Sequence, residues 1–221
     1  MFKNSRPLLL VLILIAIPFL YAYYLYPNLP IKIPIHFNIE GEVDGWGSRE
    51  SIFLMPFVMG LVSLFVFFTL TNIKKIDPKR NASSDNGIYK IFALFTVIFL
   101  TCLSIVILYG TAHLEIKISQ LLLPLLGISF AGMGIYMPKL KQNYFLGFKL
   151  PWTLENEENW NATHKIAGKI WLVGGLLQAG LSIFLKNQTA FIAFMIITAI
   201  MVLIPVAYSF WMFKKNPREN Q

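Results

Sequence analysis

Six stretches of roughly twenty residues, almost free of charge, recur along this chain at 7–26, 52–73, 88–110, 118–137, 166–185 and 190–213. A hydrocarbon core of ~30 Å takes about that many helical residues to cross, and soluble domains do not repeat the pattern. Each crossing must satisfy its own backbone, so the expected fold is all-α: a six-helix transmembrane bundle. Composition agrees, with 56% hydrophobic and only 14% charged residues among 221. The last two runs are separated only by 186–189, which makes them a hairpin that crosses and returns.

The first run follows Lys3 and Arg6, as a signal peptide would. It is longer than a signal core, lacks a small-x-small cleavage site and ends in Tyr21, Tyr23, Tyr24 and Tyr26, which suit a membrane interface. A first transmembrane helix is therefore expected. With the amino terminus inside, all but Lys32, Arg49, Lys117 and Lys186 of the 19 basic residues fall on the cytoplasmic side. Basic residues are retained there during insertion, so both termini are expected in the cytoplasm. The formal charge of +8 is then topology, and no direct nucleic-acid partner is needed. The lipid bilayer is the first partner.

The single cysteine, Cys102, excludes an intrachain disulfide. His36, His113 and His164 come from separate segments, so neither a metal site nor a cofactor is expected. No Asp or Glu lies within the six runs, which leaves a proton relay without a carrier. The remaining intramembrane polar groups are modest, and Gln178 is the one that most needs a buried partner. Gly127 with Ala131, and Gly175 with Ala179, have the small-xxx-small spacing of close helix packing. Pro18, Pro56, Pro124 and Pro205 each remove a backbone donor and are expected to kink their helices.

Two extramembrane segments carry most of the chemistry. In the outer loop 27–51, Ile31, Ile33, Ile35, Phe37 and Ile39 alternate with polar residues or proline, the period of a short extended segment. Gly41, Gly45 and Gly47 are expected at turns. Glu40, Glu42, Asp44 and Glu50 make the loop acidic, suited to meet a cationic peptide or ion, or to serve as a solvated cap. In the cytoplasmic segment 139–165, Thr153 or Asn156 can cap a helix whose first turn carries Glu155, Glu157 and Glu158. That helix is expected to continue into the fifth run, with Trp152 and Trp160 at the inner interface.

The run Asn143, Gly147, Phe148, Lys149, Pro151, Trp152, Thr153 and Leu154, followed by Trp160, Thr163, His164 and Lys165, resembles the signature of the SdpI family of bacterial membrane proteins. Pro34, His36, Phe37, Asn38, Gly41, Asp44 and Pro56 resemble the small amino-terminal domain that commonly precedes it. The family often has Arg where Lys149 stands, which replaces a bidentate fork with a point charge. The resemblance implies two regions: residues 1–73 as a helical hairpin with its outer loop, and 74–221 as the SdpI-like part with four spans. It implies a multi-pass protein of the bacterial inner membrane that is not an enzyme. The namesake members protect bacilli against a secreted toxic peptide, sense it, and hold a transcriptional repressor at the membrane. On that reading His36, Asn38, Glu40, Glu42 and Asp44 face a toxin peptide outside. Asn143, Gly147, Lys149, Pro151, Trp152, Thr153, Trp160, His164 and Lys165 form the signature that faces a repressor inside. The alternatives are a small-solute or lipid-like substrate transporter or channel, and a membrane enzyme built on His36, His113 and Glu115.

Overall fold

The structure, a computed structural model, describes residues 6–38, 41–77 and 86–215. Helix α1 spans Arg6–Leu25 and is followed by strands β1, Lys32–Phe37, and β2, Val43–Ser48. Then come α2, Leu54–Thr71, the short α3, Ile73–Ile76, α4, Asn86–Ala112, and α5, Ser119–Tyr136. Another short helix, α6, Pro151–Glu155, leads into α7, Glu157–Phe184, and α8, Asn187–Lys215. Six of these helices are long and apolar enough to cross a membrane, as the hydrophobic runs require. Their flanks expose Leu20, Phe65, Ile183 and Phe184, apolar side chains suited to face lipid.

The long helices pack in two groups. Helix α4 lies against α1 and α2; α7 lies against α5 and α8; α4 and α5 touch only lightly. The tightest pairing is α5 with α7, and small residues make it so. A Cβ on Gly127 would stand 2.7 Å from the Gly175 carbonyl oxygen, and one on Gly175 would stand 2.5 Å from that of Gly127. Gly134 meets the backbone of Gly168 and Leu172 in the same way. The two small-xxx-small motifs are therefore each other's partners, and the close approach gathers dispersion contacts that lipid chains cannot match.

Two of the four intramembrane prolines have their missing donor replaced from a neighbouring helix. Pro18 cannot bond the Leu14 carbonyl, and the Thr101 hydroxyl of α4 donates to that oxygen at 3.2 Å. Pro205 leaves the Met201 carbonyl open, and the Trp171 indole N–H donates to it at 3.0 Å. Pro56 stands in the first turn of α2, where a helical amide has no partner within the helix, so it removes no bond from α2.

The loop 27–51 contains a two-stranded antiparallel hairpin. The extended segment expected from the alternation is there, but the alternation does not hold to its end. The pairing shifts register between Pro34 and His36, a bulge that leaves Ile35 55% exposed while Ile33 is 1% exposed. Of the three glycines expected at turns, only Gly41 turns the chain, with φ of +77°. Gly45 and Gly47 lie within β2, where a Cβ would come within 2.8 Å of His36 Cβ and of Ile35 Cγ2, respectively. They are glycines because β1 side chains cross over them.

Candidate functional site

At the end of the bundle opposite the hairpin, the segment from 139 to 165 folds into a knot organised by buried polar side chains. Asn143, wholly buried, accepts from the amides of Phe145 and Leu146 at 2.8 and 2.7 Å and donates to the Lys141 carbonyl at 2.8 Å. An Asn in this role substitutes for a turn of regular structure. Thr153 accepts from the Leu150 amide at 2.9 Å, and its hydroxyl reaches the Phe148 carbonyl at 2.7 Å, which fixes the start of α6 behind Pro151. Asn156, rather than Thr153, caps α7, accepting from the Asn159 amide at 2.7 Å with Glu157 and Glu158 in the first turn.

His164 sits at the centre of the knot and is wholly buried. Its Nε2 accepts from the Phe148 amide at 3.0 Å, so Nδ1 carries the proton and donates to the Trp160 carbonyl at 2.8 Å. The ring is thereby held neutral, stacked on Trp160 with centroids 4.0 Å apart. Gly147, at φ +96°, presses against the same ring, and any Cβ there would run into Nε2. Trp160 donates to the Leu140 carbonyl at 2.7 Å and is wholly buried in protein, so the expected anchoring of this indole at the lipid interface does not hold. Trp152, half-buried between Phe210 and Phe213, donates to Ser209 Oγ at 2.6 Å. Ser209 in turn donates to Asn159 Oδ1, which also accepts from Thr163, both at 3.0 Å. This chain of bonds ties α6, α7 and α8 together. Lys149 and Lys165 are exposed.

At the hairpin end, His36 Nδ1 lies 2.5 Å from Asp44 Oδ1, with both side chains largely exposed. Solvent screening keeps the worth of such a pair small, so it orients more than it stabilises. Asn38 Oδ1 accepts from the Glu42 amide at 2.9 Å and closes the turn, while Glu42 itself is exposed. Glu40 lies outside the described residues. The base of the hairpin is held by Tyr26, whose hydroxyl donates to Glu50 at 3.2 Å and whose ring lies 4.4 Å under the Arg49 guanidinium. His113 and Glu115, which a helix would have kept apart, come within 3.2 Å because α4 ends at Ala112.

Beneath the hairpin opens a cavity of about 860 Å³. Its walls come from the starts of α2, α5 and α8 and the end of α4, and are mostly apolar: Ile107, Leu122, Leu126 and Phe194 among them. Its rim is polar, with His36, Asn38, Asp44, Thr111 and Ser119. The volume and the mixture of an apolar wall with a few polar groups are those of a ligand site. Sequence singled out the rim residues on the hairpin but not Thr111, Ser119 or the α8 wall, because no periodicity reports which helices will flank a gap. In the knot it missed Asn159, which bonds Ser209 and Thr163.

Residues 139–209 match the family model described as the SdpI/YfhL protein family, and residues 13–60 match a domain of unknown function, DUF1648. The knot, α7 and most of α8 fall in the first match; most of α1, the hairpin and the start of α2 fall in the second. The chain is 28% identical over 204 residues to the immunity protein SdpI of Bacillus subtilis (strain 168), which covers 92% of this chain and 94% of that protein. It is 38% identical over 67 residues to an uncharacterized protein of Archaeoglobus fulgidus, covering 28% of this chain and 37% of that one. No solved structure matches.

Proposed function

We propose that this chain, which belongs to the SdpI family of multi-pass bacterial membrane proteins, is an immunity and peptide-sensing protein that recognises a secreted toxic peptide at its hairpin end. The observation that carries the reading is a cavity with a polar rim that includes Asp44, in a chain that aligns over 92% of its length with an immunity protein. In this reading the hairpin faces outward, with His36, Asn38, Glu40, Glu42 and Asp44 meeting the peptide. The knot faces the cytoplasm and offers Lys149 and Lys165, beside the rigid frame of Asn143, Gly147, Pro151, Trp152, Thr153, Trp160 and His164, to a transcriptional repressor. On this proposal 1–73 is the helical hairpin with its outer loop and 74–221 the SdpI-like region, and both contribute to the cavity. Binding outside shifts the pose of the bundle, and the repressor reads the shift inside. Nothing in this scheme requires catalysis.

The test is survival of cells challenged with membrane-active peptides from related bacteria. Cells expressing the protein should outlive those without it. His36→Ala with Asp44→Asn should abolish protection at equal protein levels, and Lys149→Gln with Lys165→Gln should spare protection while releasing the repressor. Protection unchanged by the hairpin pair would remove the hairpin from the site. Orientation has its own test: with Cys102 replaced by Ser, a membrane-impermeant maleimide should label Glu50→Cys in intact cells, and Glu157→Cys only after permeabilisation.

A further inference from the structure

The residues bordering the cavity show which part of the hairpin faces it. Residues 33–38 of β1 and the following turn all line the cavity, whereas β2 contributes Asp44 alone. Side chains of a strand alternate between faces, so six consecutive lining residues mean that the edge of β1, not one face, borders the space. Among the described residues the sheet has two strands, so no further strand pairs with that edge. The Arg49 amide donates to the Ile31 carbonyl at 2.9 Å. By the alternation of an antiparallel ladder, Ile33 and Gly47 then form a bonded pair, while the polar backbone groups of Lys32 and Pro34 point away from β2. Pro34 occupies a position where its missing N–H costs no ladder bond, as proline does at a strand edge. The edge therefore offers acceptors more than donors.

We propose that the cavity receives an extended segment of a peptide, which adds to the free edge of β1 as a third strand. Its amides donate to the β1 carbonyls, its inward apolar side chains fill the space between α4, α5 and α8, and a basic side chain meets Asp44 at the rim. Over six residues β1 is ~20 Å long, enough to register such a segment. A lipid chain of the same bulk could fill the apolar wall but cannot satisfy the backbone edge. This proposal rests on the immunity reading and names how its ligand is held.

The experiment uses the full chain in phosphatidylcholine nanodiscs, with a dansyl-labelled octapeptide of alternating leucine and lysine as probe. Binding should saturate. Thr111→Phe and Leu126→Trp, which fill the cavity, should each weaken it about tenfold or more, and Asp44→Asn several-fold. The same peptide N-methylated at alternate residues should bind about tenfold more weakly, since it has lost the donors that the edge requires. Equal binding of the methylated peptide, unchanged binding by both filled variants, or no binding in the lipid discs with binding recovered in lipid-free detergent would each overturn the proposal, the last in favour of lipid. Two cavity variants are used so that misfolding of one leaves the test intact. Cells still protected by a folded Thr111→Phe variant would sink the cavity while sparing the immunity reading; wild-type cells left unprotected would sink the reading itself.

Discussion

A membrane-buried proline leaves a carbonyl with no water to turn to, and here two such carbonyls are met by side chains from other helices. Thr101 serves Leu14 behind Pro18, and Trp171 serves Met201 behind Pro205. Thr101→Val keeps the shape and removes the donor, so it should destabilise the protein by ~1–3 kcal/mol, read as a lower melting temperature in detergent. Trp171→Phe should behave alike. If either variant melts with the wild type, the bond is not what makes the proline tolerable there. The prolines were plain in the sequence; their partners were not, because Thr101 and Leu14 are far apart in the chain and no local pattern links them. His164 belongs to the same class. Sequence could place it in the signature, yet only the fold shows that its acceptor nitrogen is occupied by the Phe148 amide.

Elements were more legible than contacts. The six spans follow from length and apolarity, and the early start of α7 from Asn156 and its acidic first turn. Small-residue spacing announced that α5 and α7 would approach something closely, and the structure supplies the pairing of one with the other, with Gly134 and Gly168 extending the contact. Gly134→Leu places a branched side chain where the Gly168 carbonyl and the Leu172 backbone already stand. It should force α5 from α7 and cost ~1–3 kcal/mol or more, seen as loss of folded protein in a thermal series. Ile128→Ala, on an exposed position of the same helix, should stay within ~0.5 kcal/mol of wild type. Equal effects from the two would mean that the helix pair is not packed as described. The hairpin was half legible: alternation marked a strand, but the bulge at Ile35 and the crossing of Gly45 and Gly47 by β1 side chains arise only once two strands are paired.

Across the molecule, the two helix groups share one apolar core at the knot end, where Val11, Phe67 and Tyr89 of the first group join Met137, Trp160 and Ala167 of the second. At the hairpin end they are parted by the cavity. Stability and ligand space are thus placed at opposite ends. Asn159→Leu cuts the bonds to Ser209 and Thr163 and leaves buried polar groups unmatched, so it should lower the melting temperature, whereas Asp44→Asn at the exposed rim should not. A rim substitution that destabilised as much as Asn159→Leu would contradict this division.

By itself the sequence determined that the chain crosses a membrane through six helices, that its chemistry lies in two connecting segments, and which family those segments resemble. These follow from quantities local in the chain: the length of apolar runs, the period of alternation, the spacing of small residues and the run of signature residues. What the tertiary structure decided is where polar groups find partners and where space is left. The Leu14 and Met201 carbonyls left open by Pro18 and Pro205, the neutral His164, the Trp152–Ser209–Asn159 chain and the cavity along β1 all join residues distant in the sequence. In a bilayer an unmatched polar group has no water to fall back on, so its partner is fixed by whichever helix stands beside it, and that neighbour is chosen by packing over the whole bundle.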